Sequence, residues 1–444
     1  MKKILYYLVK VIIGLQKLGK GGTSFPGKFA LSRKPEILSE FILPEKRIFV
    51  SGTNGKTTIA NALAKLFTNL DQKVTHNKEG ANMIQGITTT LFEAANSSYE
   101  ITSDHLILEI DELSMPPVFK NIVPQTILLT NLFDDQVDRY GGKWKLAKIL
   151  SEQLPSDITL YLNGDDPTLV WLSQELKPQQ TIFFGIREKA LATVSDSNFQ
   201  IDYSAFTNEK CPVCKKELIY RERYYESLGK FNCSCGFKSP KLDFMADKIN
   251  LATGSFFVDE QLYQMPHQQL YFVYNMLAVI TYALLQKVDP SQIAAELATK
   301  VIVPGRFEYL DFNQNQAWLN LVKNPAALNQ SLEFIENELK QADLDTCNVY
   351  LALNNRPADG LDISWLKQGR FDWLKQESLN KIYLMGDLSQ EVASLLLELE
   401  FPESKIEVVD NIEKTINQEK QNPYQNYFLS NVTILNQVRS AILK

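Results

Sequence analysis

The chain has 444 residues, 45% of them hydrophobic and 22% charged, with a formal net charge of −6. That length supports two or three domains with ample cores, and the composition excludes a disordered chain. The negative balance argues against nucleic acid as a partner, while five cysteines, four of them clustered, exclude a secreted disulfide framework and fit a reducing cytoplasm.

Residues 1–45 form an N-terminal segment that precedes the first large domain or packs on it. Its stretch Ile4–Leu15 is apolar, with Lys2, Lys3, Lys10, Lys17 and Lys20 around it. The run is too short to span a bilayer and no small-residue cleavage site comes after it, so neither a spanning helix nor a signal peptide is expected. Two readings stay open: docking onto the protein's own surface, and peripheral contact with the inner face of the cell membrane.

Past residue 45, strand-like and helix-like runs alternate, which predicts an α/β fold with a mainly parallel sheet. The strand runs are Arg47–Val50, Leu106–Ile110, Thr126–Thr130, Ile158–Leu162 and Thr181–Phe184; the helix runs include Ile59–Leu70 and Lys143–Gln153. The pattern breaks over 205–244, where the clustered cysteines lie. Strands resume within Gly254–Met265, and a long apolar helix comes next over Gln269–Gln286. Val303–Phe307 reads as a linker. Beyond it come a helix Pro325–Gln341, strands Val349–Leu353 and Lys381–Met385, a helix Leu388–Leu399 and a strand Lys405–Val409. The expected division is an ATP-binding domain over 46–304, interrupted by the 205–244 insertion, and a smaller α/β domain over 305–444.

Ser51-Gly-Thr-Asn-Gly-Lys-Thr-Thr58 joins a strand to a helix, the context a phosphate loop needs. Gly52 and Gly55 permit the turn. The backbone N–H groups of the loop, including those of Thr53, Asn54 and Thr58, and the helix N-terminus then face phosphate. Lys56 reaches the terminal phosphates and Thr57 offers a hydroxyl to Mg²⁺. Leu106-Ile-Leu-Glu-Ile-Asp-Glu112 is a buried-strand pattern ending in acids, where a second Mg²⁺ ligand belongs. Glu109 is the first choice, ahead of Asp111 and Glu112.

Cys211-Pro-Val-Cys214 and Cys233-Ser-Cys235 predict one tetrahedral Zn²⁺ with four thiolate ligands. With no position left for water, such a zinc folds a ribbon and does no chemistry. Gly236 allows the turn after the second pair. Cys347 reads as a buried apolar residue. The three histidines, His76, His105 and His267, belong to no recognisable glutaminase signature, so no internal source of ammonia is visible.

The loop Gly-Thr-Asn-Gly-Lys-Thr-Thr resembles that of the Mur ligases and folylpolyglutamate synthases, which make amide bonds through an acyl phosphate. With it come Gly21–Gly27, Gly80–Gly86, the Thr130–Tyr140 segment, Asn163-Gly-Asp-Asp166, the four-cysteine insert, Asn320-Leu-Val-Lys-Asn-Pro and Ala358-Asp-Gly-Leu-Asp-Ile-Ser-Trp365. Together these resemble the MurT family, the Mur ligase-like synthetase subunits of lipid II isoglutaminyl synthase. The resemblance implies a Mur ligase-type ATPase domain using ATP and Mg²⁺. It implies Glu109 as a metal ligand, Asn275 against adenine, and Arg306 and Lys323 against phosphate. It also implies amidation of the α-carboxylate of D-glutamate in the lipid II stem peptide, with ammonia from a partner glutaminase, GatD. Asp359 or Asp362 would complete that partner's Cys–His pair, Asp359 being preferred. The chain departs from ordinary Mur ligases at Gln136, where a metal-binding histidine is usual, and at Leu321, where an aspartate holds ribose. Lys148 is the nearest candidate for the carbamylated lysine of some members, at a different spacing. A ligase adding an amino acid and a non-catalytic ATP-binding scaffold are the alternatives.

Overall fold

Apolar runs with no polar alternation predict strands covered on both faces, and the central strands are of that kind. The computed structural model of the chain describes residues 2–18, 24–77, 81–134, 141–191, 194–195, 209–299, 305–313, 315–341 and 346–444. They form two compact units, one of Met1–Phe133 with Lys143–Val301, the other of Asp134–Gly142 with Ile302–Lys444.

The first unit contains β1 (Lys46–Ser51), β2 (Val74–His76), β3 (His105–Glu109), β4 (Thr126–Leu129), β5 (Thr159–Asn163), β6 (Gln180–Ile186), β7 (Val194–Ser195), β8 (Ile219–Tyr225), β9 (Leu228–Asn232), β10 (Phe244–Asn250), β11 (Ser255–Val258) and β12 (Gln261–Gln264). Nine of these make one sheet in the order β12-β11-β10-β6-β5-β4-β1-β3-β2. It is parallel from β2 to β10 and antiparallel over the β10–β12 meander. β1 lies between β3 and β4, with Val50 opposite Glu109 and Ser51 opposite Leu129. This register brings the C-terminal ends of three strands together at one edge, the usual address for ligands in such sheets. β8 and β9 of the insert pair with each other, and β8 with β7 ahead of the insert, as a separate antiparallel sheet, β7-β8-β9.

The N-terminal helix Lys2–Leu18 docks through Tyr6, Val9 and Ile13, which are buried. The Tyr6 hydroxyl donates to the carbonyl of Ala95 at 2.9 Å. A threonine-rich helix, Ile84–Ala94, lies against the short helix Phe25–Arg33. Gly27 makes the contact possible: a Cβ there would stand 1.8 Å from the carbonyl oxygen of Gln85. Among the described residues no helix is long and apolar enough to cross a membrane.

The second unit contains β13 (Glu308–Phe312), β14 (Asn315–Leu321), β15 (Cys347–Ala352), β16 (Leu379–Met385), β17 (Ile406–Val408) and β18 (Gln425–Ser430) in the order β13-β14-β18-β15-β16-β17. All neighbours are parallel except the β13–β14 hairpin. Its core stacks Tyr350 on Phe428 and Tyr383, with ring centroids 4.1 and 4.8 Å apart.

Candidate active site and metal centre

The phosphate loop is built by three strands. β1 delivers Ser51, and the chain then turns through Gly52 and Gly55, both with positive φ (126° and 89°). These turns exclude side chains. A Cβ on Gly52 would meet the Thr130 hydroxyl at 2.2 Å, and one on Gly55 would meet Asn275 Oδ1 at 2.2 Å. The segment after β4 holds the loop from the side. Thr53 N–H donates to the Asn131 carbonyl and Asn54 N–H to Asn131 Oδ1, each at 2.9 Å. The Thr130 hydroxyl donates to the Asn54 carbonyl at 2.6 Å, and Phe133 N–H to the Thr53 hydroxyl at 3.0 Å. With these contacts made, the loop is preformed, and the N–H groups of Thr53 and Asn54, expected to face phosphate, instead donate to Asn131.

Lys56 opens the helix Lys56–Asn69 and is buried. Its ammonium donates to the Gly52 carbonyl and, at 3.1 Å, to Glu112 Oε1. Burial alone would lower its pKa; the carboxylates of Glu112, Glu109 and Asp111 outweigh that and raise it above the ordinary lysine value. Lys56 is therefore a fixed positive charge. Thr57 is half-buried and Thr58 buried on the same first turn.

Glu109 ends β3 and is buried. Asn82 Nδ2 donates to its Oε1 at 2.9 Å, and Asn77 bonds both its backbone N–H and its carbonyl, at 2.8 and 2.7 Å. Asp111 accepts from Leu113 N–H at 3.1 Å, capping the turn that swings Glu112 toward Lys56. Glu112 is the closer partner of the lysine, a role its position in the sequence did not single out. Asn131, Asn77 and Asn82 also went unread; only the strand-end placement of their segments pointed to them.

Asn275, on the helix Leu270–Leu285, is buried against Gly55, and its Nδ2 has no hydrogen-bond partner. An orphaned amide beside a phosphate loop fits a nucleotide base, which would accept from it. Next to it, the Tyr274 hydroxyl donates to Asp165 Oδ2 at 3.0 Å. Asp165 also accepts from Ile186 N–H and the Arg187 guanidinium, each at 2.7 Å. Asp166 caps the helix Pro167–Leu176 and accepts from Leu132 N–H at 2.7 Å. Asn163-Gly-Asp-Asp166 thus braces both the helix Leu270–Leu285 and the Thr130–Phe133 segment. Burial pushes the Asp166 carboxyl up to about 6, against Lys143, which lowers it.

Gln136, Asp135 and Asp138 lie outside the described residues. Lys148 is on the solvent face, 3.9 Å from Glu152. The buried lysine of that helix is Lys143, which pairs with Glu209 of the insert at 2.8 Å.

The four cysteines converge: their sulfurs all lie within 4.8 Å of one another, with Cys211–Cys235 at 3.6 Å and Cys214–Cys233 at 3.4 Å. Among the described residues this is the one group of three or more Cys, His, Asp or Glu so arranged. Knuckle turns position them. Lys215 N–H donates to the Cys211 carbonyl at 2.9 Å, and Gly236, at φ +95°, donates to the Cys233 carbonyl at 3.0 Å. Phe231, Phe237 and Leu218 pack beneath, together with Val170 and Trp171. The chemistry and convergence of these donors fit one tetrahedral metal ion. Cys347 is a buried free thiol, as its surroundings suggested.

In the second unit Arg306 is half-buried between Gly305 and Phe307, both at positive φ (71° and 47°). Phe307 is held there by Asn320 Oδ1, which accepts from its N–H at 3.1 Å, and by packing on Trp318. Lys323 sits between Val322, whose N–H donates to the Ser430 carbonyl at 2.8 Å, and Asn324, which caps the next helix by accepting from Ala327 N–H at 2.9 Å. Leu321 is buried. Asp359 and Asp362 differ. Asp359 is buried, accepting from Thr433 N–H at 2.9 Å and the Thr433 hydroxyl at 2.5 Å. Asp362 is half-exposed; Ser364, through its hydroxyl and then its N–H, holds its carboxyl below the ordinary aspartate value.

The Mur ligase middle domain model matches residues 50–232, and the MurT ligase C-terminal model matches residues 321–435. Subunit MurT of the glutamine-hydrolysing lipid II isoglutaminyl synthase of Streptococcus pneumoniae (strain ATCC BAA-255 / R6) is 30% identical over 436 residues, 96% of this chain and 94% of that one. The same subunit from Staphylococcus aureus (strain COL) is 29% identical, covering 88% of this chain and 86% of its own. In fold, the chain is similar to a pseudomurein peptide ligase type C from Methanothermus fervidus (TM-score 0.68, 19% identity, 92% of this chain and 80% of that one). It is also similar to MurF from Acinetobacter baumannii (TM-score 0.62, 14% identity, 93% and 80%). The expected Mur ligase-type architecture is therefore present.

Proposed function

This chain belongs to the MurT family, and from that premise we propose that it is the synthetase subunit of a lipid II isoglutaminyl synthase. It is a ligase of the Mur type, a family that uses ATP and Mg²⁺. The reaction would begin with attack of the D-glutamate α-carboxylate of the lipid II stem peptide on the γ-phosphorus of ATP. ADP leaves and an acyl phosphate forms. Ammonia then attacks the acyl carbon, inorganic phosphate departs, and D-isoglutamine results after loss of a proton. The work is done at the cytoplasmic side of the membrane, where a lipid-linked substrate presents its headgroup.

The observation that carries this reading is the preformed phosphate loop with buried Lys56 and the orphaned Asn275 amide beside it. Lys56 would leave Glu112 to meet the transferring phosphoryl group, for which charge neutralisation matters more than covalent help. Thr57 and Glu109 would hold Mg²⁺, which, when bound, supplies further neutralisation of phosphate charge. One or two protein oxygens are what Mg²⁺ ordinarily takes beside phosphate ligands. Arg306 and Lys323 would be the further phosphate contacts. The four cysteines would hold a structural Zn²⁺.

Ammonia would come from a glutaminase subunit of the GatD kind, bound by the C-terminal domain. Of the two aspartates proposed to complete its catalytic group, Asp362 is the more exposed, with one oxygen held by Ser364, whereas both oxygens of Asp359 are engaged by Thr433. The test is ADP release by the purified chain with lipid II and ammonium chloride, set against lipid II with free amino acids. Ammonia-dependent turnover with product amidated at D-glutamate supports the reading; turnover only with an amino acid overturns it. Adding a co-purified glutaminase and glutamine should replace the ammonium, and Asp362→Asn should abolish the glutamine-driven rate while sparing the ammonium-driven one.

A further inference from the structure

The N-terminal helix Lys2–Leu18 has two apolar faces and the fold uses one of them. Tyr6, Val9 and Ile13 recur at helical spacing and are buried. The Tyr6 hydroxyl and the Lys10 ammonium fasten that side to the carbonyls of Ala95 and Glu93, at 2.9 and 3.0 Å. On the opposite side Ile4, Tyr7, Leu8, Val11 and Leu15 form a second stripe, each residue 50–65% exposed. A helix fastened by one face cannot turn the other inward. Single exposed apolar residues are ordinary, but five in register along one helix mark a surface that meets something apolar.

Charge says what that is. The segment 2–18 carries Lys2, Lys3, Lys10 and Lys17 and no acidic residue, in a chain whose net charge is −6. At about 100° per residue, Lys3 falls roughly a quarter turn from the centre of the exposed stripe, and Lys10 lies on the same side with its ammonium held by the Glu93 carbonyl. An apolar face with a cationic flank suits an anionic lipid surface, where the stripe enters the acyl boundary and the Lys3 ammonium stays among headgroups. A second copy of the same helix would set lysines against lysines. With 17 residues the helix can lie on a bilayer but not cross it.

We propose that this helix is a membrane-surface anchor, seating the protein on anionic lipid through Ile4, Tyr7, Leu8, Val11 and Leu15. The proposal rests on the functional reading above, in which the substrate is lipid-linked, and it adds the element that brings the enzyme to that lipid.

The test is flotation of the full-length chain with vesicles of phosphatidylglycerol and phosphatidylcholine, against phosphatidylcholine alone. Partitioning to the anionic vesicles should be at least about tenfold stronger and should fall with added salt. Leu8→Glu and Val11→Glu should each weaken it by about tenfold or more, with circular dichroism and thermal unfolding unchanged because both positions are exposed. Equal flotation with both vesicles, none with either, or wild-type flotation of the two variants overturns the proposal. So does a wild-type dimer in light scattering that Val11→Glu converts to monomer without any vesicle binding. Turnover of detergent-solubilised lipid II separates this from the functional reading. A chain that floats but does not amidate keeps the anchor and loses the function; one that amidates but does not float does the reverse.

Discussion

The two proposed cation sites of the first unit are built on opposite plans. The four-cysteine set is closed: four soft donors already stand within 4.8 Å of one another on two knuckle turns. The phosphate-loop site is open, with one buried carboxylate, Glu109, one hydroxyl, Thr57, and a lysine held in reserve by Glu112. A closed set stores the metal's binding energy as folding energy, whereas an open set waits for ligands that arrive with the substrate. The expectation is that removing donors from the first unfolds a piece of the chain, and removing them from the second stops chemistry.

The largest effect should come from Cys211→Ser, since Cys211 is the most buried of the four. One equivalent of metal should be lost by elemental analysis. The insert should unfold, at a cost of more than about 5 kcal/mol locally, because a structural zinc contributes that order of folding energy. Proteolysis within 209–239 should report it. If Cys211→Ser keeps both its metal and its protease resistance, the closed-site reading fails.

Lys56→Ala should come next. Turnover should fall by about a thousandfold or more, since a phosphoryl-stabilising charge is gone. The variant should also lose about 3 kcal/mol of stability, because Glu112 stays buried without its cation. Adding Glu112→Gln should restore most of that stability and none of the rate. Recovery of the rate in the double variant would show that Lys56 does not reach phosphate.

A smaller effect is expected of Asn275→Leu. If its unpartnered amide serves adenine, ATP affinity should fall by about tenfold, or roughly 1.4 kcal/mol, by calorimetry. The melting temperature should hold or rise slightly, because an unsatisfied buried group has been removed. A stability loss with unchanged affinity would make Asn275 a packing residue only.

How much of this was legible depended on whether the information was local. The phosphate loop announced itself because glycine spacing, a lysine and flanking strand and helix runs lie within a dozen residues. The cysteine pairs did so because few other arrangements of that residue type are useful inside cells. The mainly parallel sheet was readable from strand runs such as Leu106–Ile110 alternating with helix runs such as Ile59–Leu70. The helix Ile84–Ala94 was not, because Ile87-Thr-Thr-Thr90 carries β-branched residues that favour strands. It is helical because Gly27 lets another helix press against it, while its buried hydroxyls are satisfied by carbonyls four residues earlier, as Thr88 is by Ile84 at 2.7 Å. The β13–β14 hairpin was lost for a similar reason, β14 being set by pairing with β18 far along the chain. Glu112, Asn131 and Asn82 escaped because their partners are 56, 77 and 27 residues away. The partner of Asp359 was hidden in the same way, Thr433 lying 74 residues on.

The smallest effect tests whether the open site can be loosened from the far end of its own strand. His105 begins β3, which ends at Glu109. It stacks on Phe67 at 4.1 Å, and its Nε2 lies 2.5 Å from Gln72 Oε1. Burial, and then the charge of Lys46, push its pKa down to about 4, with Asp104 opposing. A base whose folded pKa is depressed is neutral in the fold and takes up a proton on unfolding. Its contribution to stability is therefore complete above about pH 6.5 and is lost as the pH falls from there toward 4. After allowance for solvent screening the loss should be on the order of 1–2 kcal/mol. His105→Phe keeps the stacking and removes the titration, so the fall in urea midpoint between pH 7 and pH 5 should shrink by that amount. The same variant should hold ATP better at pH 5 than wild type does, because the strand carrying Glu109 no longer has a proton to accept when it opens. An unchanged pH profile would mean that acid reaches this site through its carboxylates alone, and that the open site depends on its ligands rather than on the strand behind it.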